Sequence, residues 1–135
     1  MSFILSAALL VAVVVVRPEN AAIVRVPKDF RSVQAAVDAA EDGGIVILAT
    51  GVHAGPVDMR GKRITLKGEW GAEFTSLLGG NGVIRCVSGE GASTVIEGLT
   101  IAGGTGWQGE DGLRRGGGLY IDHESQIIRR CIIVG

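Results

Sequence analysis

The spacing of hydrophobic positions changes near residue 45. Before it, residues 31–42 carry apolar side chains three and four positions apart, the spacing of one helix face. The small residues of this stripe are Val33, Ala36, Val37 and Ala40. Ser32 is the expected N-terminal cap, with Asp29 as the alternative, and Gly43 with Gly44 marks the expected end. We therefore predict one short helix over residues 31–42.

From residue 45 onward, short aliphatic runs alternate with glycine-containing turns, a pattern that predicts β-strands. The runs are IVILAT, VDM, RITLKG, SLLGG, VIRCVSG, TVIEGLTIAGG, GGLYID and QIIRRCIIVG. Another run, IVRVP at residues 23–27, precedes the helix and is expected to stop at Pro27. The chain is therefore predicted to be mostly β, with one helix near its N-terminus.

One strand pattern occurs more than once. The segments ASTVIEGLTIAG (92–103) and ESQIIRRCIIVG (124–135) share an apolar skeleton 32 positions apart, so that Ile96 corresponds to Ile128. The segment KRITLKG (62–68) aligns with residues 97–103 at a distance of 35. Such self-similarity is typical of solenoids. The sequence lacks the LxxLxL pattern of leucine-rich repeats and any six-residue period, which leaves a parallel β-helix with rungs of about 30 residues.

Within the repeat, Ile96, Leu99 and Ile101 are expected to point into the coil, with a bend at Glu97 and Gly98. Gly98 suits a backbone with positive φ. The matching bend of the last copy falls on Arg129 and Arg130, where positive φ is less favourable.

The order of these elements resembles the N-terminal part of right-handed parallel β-helix proteins, the pectin lyase-like superfamily. The segments that carry the resemblance are DFRSVQAAVDAAEDGG, VILATGVH, GKRITLKGE, IEGLTIAGG and GGGLYI. It implies an all-β fold over residues 23–135: a right-handed parallel β-helix, or solenoid, of about three rungs with an N-terminal capping α-helix. His53 departs from the pattern, because related sequences more often have an aromatic residue there; we expect it at the surface or in a turn. The superfamily contains both enzymes and non-catalytic adhesins, so the resemblance does not fix an activity.

Composition supports short strands joined by tight turns. Glycine makes up 22 of 135 residues and hydrophobic residues 47%, whereas a usual glycine share is about 7%. The formal net charge of −1 comes without a basic patch, so we expect no nucleic acid partner. Cys86 and Cys131 form no disulfide framework, and the sequence has no CxxC or HxxxH spacing for a metal. We expect both cysteines to be small buried hydrophobes on different faces of the coil.

The first 22 residues differ from the rest. Residues 3–16, FILSAALLVAVVVV, form an apolar run of 14, shorter than the roughly 20 of a membrane span but suited to a signal-peptide core. With small Ala21 and Ala22 near a cleavage site, we predict a signal peptide over 1–22, and hence a secreted or cell-surface protein. An uncleaved anchor and a buried first strand are the alternatives. Any membrane contact is expected through this leader alone.

The C-terminal end of the sequence shows no second capping helix after Gly135. We therefore expect a truncated domain, completed by further β-helix coils or by self-association at its C-terminal edge.

The segment YIDHES (120–125) contains the most distinct cluster of polar residues in the sequence. Asp122, His123 and Glu124 are candidate catalytic residues, because carboxylates and histidine act as acid, base or ion ligand on this face of related epimerases and lyases. The alternative is a solvated turn after a strand. A lyase also needs a cation over its substrate's carboxylate, for which Arg85 and Lys67 are the candidates.

Residues 103–118 form a long glycine-rich loop between rungs, a common binding region of solenoids. Trp107 is the candidate substrate-binding residue, since an indole stacks on sugar rings. Glu110 and Asp111 are candidate Ca²⁺ ligands, and no other cofactor is expected. The alternative is a flexible loop whose tryptophan folds back on the coil.

These features favour an exported, non-catalytic β-helix scaffold of the surface or adhesion type, with polysaccharide or cell-surface components as partners. The alternative is the N-terminal fragment of a polysaccharide lyase, C5-epimerase or related carbohydrate-active enzyme. Such an enzyme lines its cleft with groups from several stacked rungs, and this chain has few rungs to supply them.

Overall fold

Short strands make up most of the protein, a computed structural model of which describes residues 22–80, 82–86, 94–105, 107–108, 110–111, 114–115, 117–121 and 126–134. This part of the chain contains one helix, α1 (Val33–Ala39). The strands are β1 (Ile23–Val26), β2 (Ile45–Leu48), β3 (Gly51–Ala54), β4 (Val57–Asp58), β5 (Thr65–Gly68), β6 (Thr75–Leu78), β7 (Ile84–Cys86), β8 (Val95–Glu97), β9 (Thr100–Ala102), β10 (Trp107–Gln108), β11 (Arg114–Arg115), β12 (Leu119–Ile121), β13 (Ile127–Arg129) and β14 (Ile132–Ile133).

Apart from the pair β10–β11, the strands form three parallel sheets. Sheet A has the order β1-β2-β5-β8-β13, sheet B has β3-β6-β9-β14, and sheet C has β4-β7-β12. From β2 onward the chain passes through sheets A, B and C in turn, and we call one such passage a circuit. Each strand pairs in parallel with the strand that occupies the same sheet in the next circuit. The prediction of a mostly β protein with one helix is confirmed for the described residues, and this order is compatible with a solenoid.

The register of the sheets confirms one predicted repeat and corrects the other. Ile96 pairs with Ile128, which is the predicted distance of 32. The alignment of residues 62–68 with 97–103 is wrong: Thr65 pairs with Val95, a distance of 30, and β5 lies in sheet A while β9 lies in sheet B. Both strands are short aliphatic runs that end at glycine. Their sequences therefore look alike although they occupy different sheets.

The hydrophobic core runs through the stack between the three sheets. Ile96, Leu99 and Ile101 are each 0% exposed, so their predicted inward orientation is confirmed. Buried residues of the neighbouring circuits continue the same rows. They are Val46 and Leu66 in sheet A, Leu77 in sheet B, and Val57 and Ile84 in sheet C.

The two predicted bends have the predicted backbone. Gly98 has φ +66° and Arg130 has φ +53°, so the last circuit keeps the left-handed conformation despite its side chain. Arg130 Nη1 and Arg129 Nε each donate to a different oxygen of Glu97, both at 3.1 Å. We infer that this shared carboxylate offsets part of the cost of positive φ, about 1–2 kcal/mol.

Helix α1 has the predicted start and buried face. Ser32 is the N-cap, and its Oγ accepts from the Ala35 amide at 3.1 Å. The four stripe residues are all buried: Val33, Ala36, Val37 and Ala40. Asp29, the alternative cap, instead closes the turn after β1, where its Oδ2 accepts from the Arg25 amide at 2.8 Å.

The helix is shorter than the predicted span of 31–42, because it ends at Ala39 with Ala40 in extended backbone as the C-cap. The Lys62 ammonium donates to the carbonyls of Val37, Asp38 and Ala40 at 2.9, 2.5 and 2.7 Å. These carbonyls lie where a helix end leaves acceptors unsatisfied. A lysine from the first circuit thus completes the helix end that we assigned to the glycines. Helix α1 also contacts β1 and β4, the first strands of sheets A and C, as expected of a cap.

Two backbone segments of neighbouring circuits approach closely at Gly68. A Cβ atom added there would overlap the carbonyl oxygen of Gly98 and lie 3.0 Å from the Thr75 Cβ. Gly68 is itself buried in β5. Space, rather than an unusual φ, therefore requires glycine at this position.

We expect Gly68→Ala to lower the free energy of unfolding by about 1–3 kcal/mol, since the strands must shift to admit the methyl group. Urea unfolding followed by circular dichroism measures this loss. Gly43→Asn is the control: nothing lies within 4 Å of its Cβ position and its φ of +88° is one that asparagine tolerates. Equal stabilities of the two variants would contradict the close approach.

Candidate functional site

The predicted catalytic cluster follows a strand of sheet C. Asp122, His123 and Glu124 lie outside the described residues, so their roles stay predictions. Strand β12 ends at Ile121, directly before them, and pairs in parallel with β7. Sheet C is therefore the surface on which the candidate site is built.

Three polar residues form a row on the outer face of sheet C. Tyr120 is paired with Arg85, and Arg85 with Asp58. The strand neighbours of this row that point into the core are fully buried: Val57, Ile84 and Cys86. Since side chains alternate along a strand and strands lie about 4.8 Å apart, a carboxylate, a guanidinium and a phenol stand side by side on the opposite face.

Asp58 is held in place by the cap and by its own turn. Its amide donates to Gln34 Oε1 at 2.7 Å, and its carbonyl accepts from Gln34 Nε2 at 3.0 Å. The carboxylate oxygen Oδ1 accepts from the Arg60 amide at 2.9 Å. Helix α1 thus fixes the first residue of the row, and one oxygen of its carboxylate already serves the turn after β4.

Arg85 lies in the central strand of sheet C and has an unsatisfied donor. Its Nε is buried and has no hydrogen-bond partner in the described part of the chain. A buried donor without a partner costs about 1–3 kcal/mol, so such a group indicates a place that a water or a ligand completes. Lys67, the other candidate cation, lies in β5 of sheet A, next to Glu97 in the paired strand. Only Arg85 of the two lies on the sheet that leads to residues 122–124.

The glycine-rich loop of residues 103–118 contains a hairpin that the sequence pattern did not predict. Strands β10 and β11 pair antiparallel, with Trp107 opposite Arg115 and Gln108 opposite Arg114. Strands of two residues are too short for a period of two to appear in the sequence. Glu110 and Asp111 lie in the turn between the strands and are exposed.

The base of this hairpin adjoins sheet C. The Thr105 amide donates to the Gly80 carbonyl at 3.0 Å, and the Val83 amide donates to the Gly117 carbonyl at 3.2 Å. A Cβ atom on Gly104 would overlap the Gly117 carbonyl oxygen, so only glycine lets the two segments at the base of the hairpin approach this closely. Both bonds join the hairpin to the segment just before β7. The strand carrying Arg85 and the hairpin carrying Trp107 are therefore anchored together.

The cysteines are not arranged for nucleophilic chemistry. Neither is in a disulfide: Cys86 is buried in β7 of sheet C, and Cys131 is half-buried between β13 and β14. Burial raises the pKa of the Cys131 thiol, whose Sγ donates to the Ile96 carbonyl at 3.6 Å. A thiol held neutral in this way is a weak nucleophile.

His53, which we expected at the surface or in a turn, is part of a strand. It lies in β3, is half-buried, and its Nε2 is 2.8 Å from the Ala49 carbonyl oxygen. The imidazole is thereby tied to the start of its own strand, where it stabilises the first circuit of sheet B.

The predictions of metal binding and of membrane contact stay open. The described residues contain no group of three or more His, Cys, Asp or Glu side chains suited to hold a metal ion, and Ca²⁺ binding by Glu110 and Asp111 stays a prediction. Nor do they contain a helix long and apolar enough to cross a membrane. The predicted signal peptide falls on residues 1–21, outside the described part, and on Ala22.

Comparison of the chain with protein-family models, with curated proteins and with solved structures gave no match. Sheet C and the hairpin are therefore the features of the chain that bear on its function.

Proposed function

We propose that the chain is an exported right-handed parallel β-helix capped by α1, and that it serves as a non-catalytic scaffold binding polysaccharide at the cell surface. The observation that carries the proposal is the outward row of Asp58, Arg85 and Tyr120 beside the hairpin with Trp107. The β-helix assignment draws support from the repeated passage through sheets A, B and C.

The groups on this surface match the chemistry of an acidic sugar. A guanidinium such as that of Arg85 binds a carboxylate through charge-assisted hydrogen bonds. The phenol of Tyr120 both donates and accepts. An indole at Trp107 would stack on the apolar face of a sugar ring. Together they favour a polymer with carboxylates over a neutral glycan.

The engagement of Asp58 favours binding over catalysis. This carboxylate is the one described acid in the row, and it accepts a hydrogen bond from the Arg60 amide. A general base must lie within hydrogen-bond reach of the proton that it removes, and the hydrogen bond from the Arg60 amide directs Oδ1 of Asp58 towards the chain's own turn. In this row Asp58 instead supports the turn and the cap.

A lyase or C5-epimerase is the second candidate, favoured by the position of β12. That strand pairs with β7, which carries Arg85, and it ends at Ile121, directly before residues 122–124 in the sequence. Arg85 would then hold the carboxylate of a uronate, and one of Asp122, His123 and Glu124 would remove the proton from C5. In a lyase the electron pair left at C5 forms a C4=C5 double bond as the C4–O bond breaks, and the departing oxygen takes a proton from water.

Tryptophan fluorescence tests the proposal. Trp70 is 69% exposed and would also respond, so Trp70→Phe leaves Trp107 as the single reporter. We expect pectin and alginate to shift its emission, and a neutral glucan to leave it unchanged. In this background Arg85→Gln should weaken binding about tenfold or more, equal to about 1.4 kcal/mol. Calcium is varied separately to test Glu110 and Asp111.

Lys67→Gln is the matched control, since it removes one cation from sheet A and should leave binding unchanged. A flat signal with both acidic polymers, or equal losses in the two variants, would contradict the proposal. Absorbance of the conjugated double bond distinguishes the scaffold from the lyase. An absorbance that rises while the protein is incubated with polymer would show that the chain is a lyase.

A further inference from the structure

The cap closes the free edges of two of the three sheets with hydrogen bonds. In β1, the backbone groups of Arg25 point away from β2. The Arg25 amide donates to Asp29 Oδ2 at 2.8 Å, and the Arg25 carbonyl accepts from the Asp29 amide at 2.8 Å. In β4, the backbone groups of Asp58 point away from β7, and the Gln34 side chain bonds both of them, at 2.7 and 3.0 Å. The first strands of sheets A and C are therefore satisfied at these positions.

Strand β3, the first strand of sheet B, has no such closure. It pairs with β6 alone. The Gly55 amide donates to the Leu78 carbonyl at 2.7 Å, so the odd-numbered residues of β3 bond to β6. Val52 and Ala54 point to the other side, and both are exposed. Their N–H and C=O groups have no hydrogen bond within the described part of the chain.

The edge of β3 also lacks the usual protection against strand pairing. Proteins blunt such edges with charged side chains, with proline or with a covering segment. Strand β3 (Gly51–Ala54) has neither a charged residue nor a proline. In sheet A, β1 lies beside the first strand of the first circuit, whereas no described strand lies at the corresponding position beside β3. Sheet B therefore offers a place for one more strand.

A cleft of about 460 Å³ lies along this edge. Pro27, Arg31 and Val33 line one side of the cleft, and residues 50–54 line the other. Ligand sites of proteins typically measure about 300–1,000 Å³. The cleft thus separates the start of the cap from the strand edge that the cap leaves open.

We propose that this cleft binds an extended acidic peptide of a partner protein, which joins sheet B as a further strand beside β3. The edge presents an N–H and a C=O group on every second residue, at Val52 and Ala54. An extended polypeptide backbone carries the complementary groups at the same repeat, and this is how peptides add to open sheet edges. The site is separate from the polysaccharide surface that we propose on sheet C.

Arg31 determines the preference for an acidic peptide. It is the one lysine, arginine, aspartate or glutamate among the described residues that line the cleft. Its side chain is exposed and forms no ion pair with the described residues. A second copy paired through β3 about a two-fold axis would bring two Arg31 side chains to the same pair of strands, where like charges repel. A carboxylate-bearing peptide meets the opposite charge.

Amide hydrogen exchange of the purified full chain, with and without acetyl-Val-Glu-Val-Glu-Val-amide, tests the proposal. At up to about 5 mM peptide, the amides of Val52 and Ala54 should exchange roughly tenfold more slowly. Those of Gly51 and Gly55 already have partners and should be unchanged. The same peptide with every backbone amide N-methylated keeps its charge but cannot pair with the edge, so it should give no protection.

Two variants test the role of charge. Arg31→Glu should weaken binding of the acidic peptide roughly tenfold. Arg63→Glu is the matched control, because it makes the same change of net charge at an exposed arginine outside the cleft, and its binding should equal that of the wild type. Circular dichroism verifies that both variants keep the fold.

Several results would overturn the proposal: no protection by the acidic peptide, equal protection by its N-methylated form or by a glutamine counterpart, or equal losses in Arg31→Glu and Arg63→Glu. Slow exchange of Val52 and Ala54 in the chain without peptide would also overturn it. If that protection grows with protein concentration, a second copy occupies the edge. If it does not, another segment of the same chain does.

Discussion

Leu99→Asp is expected to lower the free energy of unfolding by about 4 kcal/mol or more, a loss reserved for severe defects of the core. Leu99 is 0% exposed at the bend between β8 and β9. Its side chain faces Gly68 of the preceding circuit, where a Cβ atom would lie 3.3 Å from the Leu99 Cδ2. A carboxylate at this position would be surrounded by aliphatic groups, with no counter-charge to compensate its desolvation.

Urea unfolding followed by circular dichroism measures the effect. Leu78→Asp is the matched control: it is the same change on the outward side of sheet B, at 37% exposed. It should cost less than about 1 kcal/mol. Similar midpoints for the two variants would show that Leu99 does not face the core.

The inward and outward assignment was predictable because burial has a local signature. Ile96, Leu99 and Ile101 follow one another with one change of phase at Gly98, and an aliphatic residue at each inward position is the condition for a dry core. The helix stripe was predictable for the same reason, since its period is a property of neighbouring residues.

The partners of the strands were less predictable, because parallel pairing depends on circuit length. Ile45 and Thr65 are paired at a distance of 20 residues, whereas Thr65 and Val95 are paired at 30. Turns of different length absorb the difference without changing the strands. No fixed repeat in the sequence therefore identifies the partner of β5.

The residues that form the candidate site were hard to predict for the same reason. Arg85 was recognisable as a cation, but its neighbours Asp58 and Tyr120 are 27 and 35 residues away. Unequal distances such as these arise from stacking and leave no motif.

The end of helix α1 was not predictable from the local sequence, because a tertiary contact with Lys62 completes it. Removing this contact is expected to have the second large effect. Lys62→Met should lower the free energy of unfolding by about 3 kcal/mol. Hydrogen bonds to charged groups each contribute about 1.5–3 kcal/mol, but water takes the place of the ammonium at these part-exposed carbonyls, so the loss is smaller than the sum of three bonds. Methionine keeps the apolar stem of the half-buried lysine but has no donor, so the carbonyls of Val37, Asp38 and Ala40 lose the ammonium. The positive charge at a helix C-terminus is lost with it.

Hydrogen exchange locates the effect. A helix of seven residues does not persist alone, so loss of its anchor should release it from the first circuit. The amides of Ala36 and Ala40 donate within the helix, and both should exchange roughly a hundredfold faster in Lys62→Met. Lys67→Met is the matched control on the outer face of sheet A, with an expected change within about 0.5 kcal/mol. Unchanged exchange of the helix amides in Lys62→Met would mean that packing of Val33, Ala36 and Val37 holds the cap without the lysine.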